Sequence, residues 1–379
     1  MKPIYLDHAA ATPVDSEVLM AMMPFFSDKF YNPSALYTGA RDVKQALDEA
    51  RSSVAQAIGC RPGEVIFTSG GTESTNLAIR GVCGKYPDGR TVISAIEHEA
   101  VRMPAKLYDH VECPVNGKGQ VEIDQLRPLI DEHTVLVSVM YANNEVGTVQ
   151  PIKDVVSLVE EERTRRLRNG VELPIYVHTD AAQAPSYLDL NVARLGVDMM
   201  TLNGGKIHGP KQSGILYVRT GVKISPQILG GGQERSLRSG TENIANAVGF
   251  SLALRKAQDG RSANSKAVGQ LSAKFIKTLE EKFGAVVNGH KKMRLPNNVH
   301  VTFPGHDNER IMFSLDEQGV YAAAGSACSA SKEEVSHVLR AMGVSEQDAR
   351  SSLRFSLGRE TSEEDIKKAV EYLAIALDA

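Results

Sequence analysis

The two segments HTDAAQ (178–183) and TLNGGKIHGPK (201–211) decide how this chain folds and where its chemistry sits. The first follows the apolar run PIYV, which predicts a strand and leaves Asp180 and Gln183 just past its carboxyl end. The second follows VDMMTL, another short apolar run, and leaves Lys206 in a glycine-rich turn. In open α/β sheets, the loops beyond the carboxyl ends of the strands form the ligand crevice. An acid that pairs with a ring nitrogen and a lysine that forms a Schiff base are what pyridoxal-phosphate chemistry requires. Taken alone, the same two residues are more commonly solvated charges on loops.

Outward from that pair the pattern is strand, loop, helix, repeated. EVIFTSG, TVISAIEH, TVLVSVMYANNE, PIYVHTD, VDMMTL and SGILYV read as strands, separated by helical stretches such as TESTNLAIRGVCG and IKDVVSLVEEERTRRLRN. The near-continuous apolar character of TVLVSVMY points to a sheet covered on both faces, so the fold class is α/β with a mostly parallel central sheet of six or seven strands. Residues 40–58 carry apolar positions at helical spacing, with Gly59 as the stop. Residues 1–15 read as an extended N-terminal arm joining a smaller domain, and 16–240 as the large domain. Residues 241–379 read as a long linking helix and a small α+β domain that carries the cysteine loop.

A chain of 379 residues has room for two such units. Its net charge of -3 offers no basic surplus for nucleic acid. The one basic run, RTRRLRNG at 163–170, reads as a solvated helix end complementing the helix dipole. No signal-peptide pattern and no apolar stretch of membrane-spanning length occurs, so the expectation is a cytoplasmic protein. The four cysteines, Cys60, Cys83, Cys113 and Cys328, show no zinc-ligand spacing, and no metal is expected.

SGGTES (69–74) lies between a strand and a helix. It is either a glycine turn with Thr72 as N-cap or a phosphate cradle of backbone N–H groups and small hydroxyls. It matches neither a P-loop nor a dinucleotide fingerprint. His98 follows a strand end, as a satisfied histidine or as a ring stacked on a planar cofactor. Asn143, Asn144 and Glu145 follow another. Arg354, in SSLRFSLG, is an edge-strand arginine or a bidentate clamp for a carboxylate. Cys328 lies in AAAGSACSAS; a lone cysteine is commonly a small buried hydrophobe, yet a loop of such small residues suits a travelling nucleophile.

Ten segments in order, YLDHAAATPV, NPSALY, FTSGGTESTNLAI, IEHEAV, NNEVGTVQPI, HTDAAQ, KIHGPKQSGILYV, GGGQERSLRSGTEN, GSACSA and RFSLGR, resemble the pyridoxal-phosphate cysteine desulfurases of the NifS/IscS class. The resemblance spans nearly the whole chain. It implies a fold-type I transferase, a homodimer with sites at the subunit interface, and transfer of sulfur from L-cysteine. Lys206 resembles the Schiff-base lysine, Asp180 the partner of the pyridine nitrogen, and His98 the stacking acid–base histidine. Gln183 and Asn144 resemble contacts around the phenolic oxygen; Gly71, Thr72 and Asn203 line up with the phosphate site. Thr241 resembles a phosphate ligand donated by the neighbouring subunit. Asn32 and Arg354 resemble the substrate-carboxylate clamp, and Cys328 the persulfide carrier on a long loop.

Two departures stand out. The family's Ser-Gly-His before the lysine is Asn203-Gly204-Gly205 here, which predicts weaker phosphate holding unless water, His208 or the backbone substitutes. The chain ends at LAIALDA, which predicts weak binding to an iron–sulfur scaffold and delivery of sulfur to another acceptor, such as a small sulfurtransferase. The alternatives are a related lyase acting on selenocysteine or another β-substituted amino acid, and a catalytically weak scaffold on the same fold.

Overall fold

The computed structural model describes residues 3–325 and 335–378. Seven strands form the central sheet, in the order Val65–Thr68, Gly214–Val218, Met199–Asn203, Tyr176–Asp180, Thr134–Ser138, Arg90–Ser94 and His110–Cys113. Gly214–Val218 runs antiparallel to both neighbours, and every other pairing is parallel. The edge strand His110–Cys113 is absent from the sequence reading, because four residues with only two apolar members carry too little periodicity. Strands such as Thr134–Ser138 and Tyr176–Asp180 are buried at every position, as a sheet covered on both faces demands. Separate apolar clusters lie around it, one including Val137, Val177 and Met200, the other Ile66, Ile93 and Leu136.

The helix Ile244–Phe283 is 40 residues long, about 60 Å at 1.5 Å per residue. Its first half puts Phe250 and Leu254 into the core beside the central sheet. Its second half puts Val268, Phe275 and Leu279 into another core, with Val299, Leu353 and Phe355. That second core lies on a three-stranded antiparallel sheet ordered Ser352–Ser356, Asn298–Thr302, Val286–Val287. The arm enters here: Ile4–Tyr5 pairs in parallel with Val320–Tyr321, and Asp7 bridges to Ser356.

The basic run at 163–170 departs from expectation. The helix does end there, after Arg168, but Arg166 is buried and donates to the carbonyls of Asp131, Thr134 and Leu173 at 2.6, 2.7 and 2.8 Å. Arg163 binds the carbonyl of Ile175 and the buried Asp198 carboxylate. These guanidinium groups satisfy carbonyls beside the strands, which would otherwise cost free energy on burial.

Candidate active site

Four strand ends and a helix start meet over one edge of the sheet. Tyr176–Asp180 delivers Asp180; Met199–Asn203 delivers Asn203 and the short 3-10 turn Gly204–Lys206. Arg90–Ser94 runs on to His98, and Thr134–Ser138 to Asn144. Opposite them the helix Gly71–Lys85 begins. A cavity of about 190 Å3 opens between these ends, lined by Gly71, Thr72, His98, Asn144, Asp180, Gln183, Asn203, Lys206 and Arg354. Nine of the twelve residues singled out in the sequence therefore share one space.

Asp180 is only 8 % exposed; its Oδ1 accepts from the N–H of Ala182 at 3.0 Å. Burial pushes its pKa up, against the opposing pull of His98 and Lys206. His98 is hydrogen-bonded and also faces the cavity. It is the N-cap of the helix Glu99–Ala105, with Nδ1 accepting from Ala100 N–H at 3.1 Å, and its ring lines the cavity. Because Nδ1 accepts, a neutral ring carries its proton on Nε2. Behind it, Glu97 is fully buried; its Oε1 accepts from Ser94 Oγ and Met140 N–H, both at 2.6 Å. Burial pushes this carboxyl up to about 8.

The 69–74 turn is capped by Gly70, not by Thr72, which sits inside the first helical turn. Gly70 has φ 136° and ψ −178°, a conformation only glycine adopts readily. No side chain caps this helix, so its first N–H groups face the cavity floor at Gly71 and Thr72. Asn203 Oδ1 accepts from Gly205 N–H at 3.1 Å, which leaves the amide NH2 as its remaining donor. His208 does not serve this end. Its Nδ1 lies 3.1 Å from the Pro13 carbonyl, and its ring faces Glu360.

The arm, to which the sequence reading gave no role in the site, forms one wall. Ala9 and Ala10 line the cavity; Gln183 Nε2 donates to the Ala9 carbonyl at 3.0 Å, and Lys206 Nζ donates to that of Ala10. Thr12 exchanges bonds with Gly205 and His208, stitching the arm to the lysine turn. Asp7 binds Arg354 Nη2 at 2.6 Å, while Arg354 Nη1 donates to the Asn144 carbonyl at 2.9 Å. Arg354 is 1 % exposed, and its Nε is buried without a partner among the described residues. The signal for the arm was present in the small residues of YLDHAAATP, but alanines carry no chemistry that a sequence motif reveals.

Two of the remaining three residues lie outside this cavity. Asn32 is exposed, with Oδ1 accepting from Ser34 N–H at 2.9 Å. Thr241 is exposed and lines a second cavity behind the same turn, with Thr68, Ser69 and Arg238. Cys328 lies outside the described residues. Cys83 and Cys113 are buried, and burial pushes both thiols up, Cys113 to about 12.

The class-V aminotransferase family model matches residues 4–369. A cysteine desulfurase IscS of Dictyoglomus turgidum is 40 % identical over 380 residues, covering 98 % of this chain and 94 % of the relative. One of Methanosarcina thermophila is also 40 % identical, covering 98 % and 91 %. Among solved structures, a NifS-like protein of Rickettsia africae superposes with a TM-score of 0.89 at 30 % identity, covering each chain completely. A structure of SspA in complex with cysteine gives 0.81 at 34 %, covering 93 % of this chain and 98 % of that one. The chain belongs to the class-V aminotransferase family, on the branch whose relatives are named cysteine desulfurase.

Proposed function

We propose that this protein takes the sulfur of L-cysteine onto Cys328 and hands it to a sulfur-acceptor protein, working as a homodimer. The family makes it a pyridoxal-phosphate enzyme with cysteine desulfurase activity. The cavity fits that cofactor: a buried acid, an amine and an uncapped helix N-terminus surround one space. Asp180 would face the ring nitrogen, His98 the ring, Gln183 and Asn144 its oxygen side, Lys206 its aldehyde carbon, and Gly71, Thr72 and Asn203 its phosphate. When bound, the cofactor supplies an electron sink that labilises bonds at the substrate's α-carbon.

The protein's own groups do the rest. Arg354, held by Asp7 and the Asn144 carbonyl, puts a guanidinium at the cavity wall for the substrate carboxylate. Lys206 and His98 Nε2 are placed to carry protons. Across the whole reaction the C–S bond of cysteine breaks and an S–S bond to Cys328 forms. The thiol proton of Cys328 is given up as the carbon takes one, leaving alanine and a persulfide. The observation that carries this reading is the meeting of Lys206, Asp180 and Arg354 under one helix start.

Support for a dimer comes from outside the cavity. Thr241 and Asn32 lie off it, and Met20, Phe26, Phe30 and Leu36, clustered in sequence about Asn32, are 61–89 % exposed. A cluster of that kind is normally covered by another chain. The acceptor is an iron–sulfur scaffold or a small sulfurtransferase. Among the described residues no helix is long and apolar enough to cross a membrane.

Incubation with L-cysteine and mass spectrometry of the Cys328 peptide is the test. One added sulfur atom, with alanine released, is the expected result; neither would end the desulfurase reading. If Cys328→Ala turns over cysteine as wild type does, the selenocysteine-type lyase is the better reading.

A further inference from the structure

The residue before Lys206 is glycine, and the structure shows what stands in the space its missing side chain leaves. A Cβ built at Gly205 meets nothing nearer than Asn203 Oδ1 at 3.6 Å and Lys211 Cγ at 3.8 Å. That space opens on a cavity that shares Gly71, Thr72, Asn203 and Lys206 with the first and is lined also by Gly205 and Lys211. Lys211 is exposed at its lip and has no hydrogen bond or ion pair among the described residues. The acid on the same lip, Glu73, is engaged by Arg238 at 2.7 Å and by Ser69. Among the described residues no carboxylate pairs with the Lys211 ammonium.

We propose that Lys211 is a cofactor-phosphate ligand of this protein, its flexible stem crossing the vacant side-chain space at Gly205 to set an ammonium against the phosphate. This rests on the proposed pyridoxal-phosphate reading and deepens it. The helix start alone offers a partial positive charge and N–H donors. Asn203 adds one neutral amide. Lys211 supplies the full cationic charge, which a dianionic phosphate rewards most. The short stretch Gly209-Pro210 fixes its base: the Pro210 carbonyl accepts from Ser213 Oγ at 2.6 Å, and the Gly209 N–H donates to the Gly204 carbonyl at 3.0 Å. The lysine turn and Lys211 therefore belong to one closed loop.

The test is equilibrium binding of pyridoxal phosphate and of pyridoxal, which lacks the phosphate, to the cofactor-stripped full-length protein, followed by absorption. Lys211→Gln is expected to weaken pyridoxal phosphate about ten- to a hundredfold and to leave pyridoxal unchanged. Lys211→Arg is expected to retain most of the affinity. Gly205→His is expected to restore it in the Lys211→Gln background, since the space at 205 is open. Equal affinity of Lys211→Gln and wild type for pyridoxal phosphate, or equal weakening for both compounds, would overturn the assignment while leaving the cofactor reading intact. A wild-type protein that takes up neither compound would overturn the cofactor reading itself, and this inference with it.

Discussion

The two cavities on either side of the 69–74 turn are built differently. The first is closed by groups that one chain supplies from strand ends, a helix start and the arm, and nine of the assigned residues meet there. The second, about 300 Å3, holds Thr241 on the irregular 230–243 segment. That segment contains three consecutive non-glycine residues at positive φ, Glu234, Arg235 and Ser236. Their strain is offset by an ion pair from the half-buried Arg51 to the buried Glu234, with bonds of 2.7 and 2.8 Å. Even the carboxylates behind them differ: Glu234 is held by an arginine, whereas Glu97 has, among the described residues, a hydroxyl and an N–H. The contrast teaches that strand-end residues are positioned by the chain's own sheet, while Thr241 rides on an irregular segment braced by an ion pair.

The hardest test of that contrast is Lys206→Ala. If the first cavity is the reactive one, turnover of cysteine falls about 10²–10⁴-fold while far-ultraviolet circular dichroism is unchanged. Retained turnover would move the chemistry elsewhere. Next in size, Arg354→Gln removes a guanidinium fork from the cavity. Its expected mark is a KM for cysteine raised about ten- to a hundredfold, with kcat moved less. A change confined to kcat would mean that Arg354 only braces the Asp7 arm.

Glu97 separates the two buried carboxylates by pH. Its folded pKa, about 8, lies above the ordinary 4.5. Between those values the native state keeps a proton that the unfolded chain has released. Stability therefore falls as pH rises through that window, by at most about 1.4 kcal/mol per pH unit. Glu97→Gln removes this slope, so urea melts at pH 5, 6.5 and 8 are expected to show the variant gaining on wild type as pH rises. Parallel curves would mean that Glu97 is ionised in the folded protein.

The smallest expected effect belongs to the second cavity. Thr241→Ala is predicted to weaken cofactor retention several-fold to about tenfold, the worth of one hydrogen bond to a charged group. In wild type, retention is expected to fall on dilution below the dimer dissociation constant; in Thr241→Ala that dilution effect shrinks. Retention independent of concentration in both proteins would show that Thr241 has no part in a neighbour's site.

Much of this was legible before any coordinates. Asp180, Asn144 and His98 follow apolar runs whose strand character is unmistakable, so their place at the crevice follows from period and length alone. The sequence also marked Asn203-Gly204-Gly205 as a departure. It left open whether His208 fills the gap, and the structure turns His208 towards Pro13 and Glu360. Thr72 was an N-cap candidate by residue type, yet Gly70 takes that position, where a φ of 136° favours glycine over any residue with a side chain. Arg166 looked solvated because helix-end arginines commonly are, and is buried because carbonyls at a neighbouring strand needed donors.

The sequence by itself determined the alternating elements, the lysine and its acid at strand ends, and the family to which they belong. Tertiary structure alone decided that Ala9 and Ala10 wall the cavity, that Asp7 grips Arg354 across 347 positions of chain, and that Lys211 overhangs the space at Gly205. The reason is physical. Periodicity records which face of an element is buried, a local property written every two or four residues. Which distant backbone closes over a site depends on how whole layers pack, and an alanine wall or an ion pair between the two ends of the chain leaves no period to read.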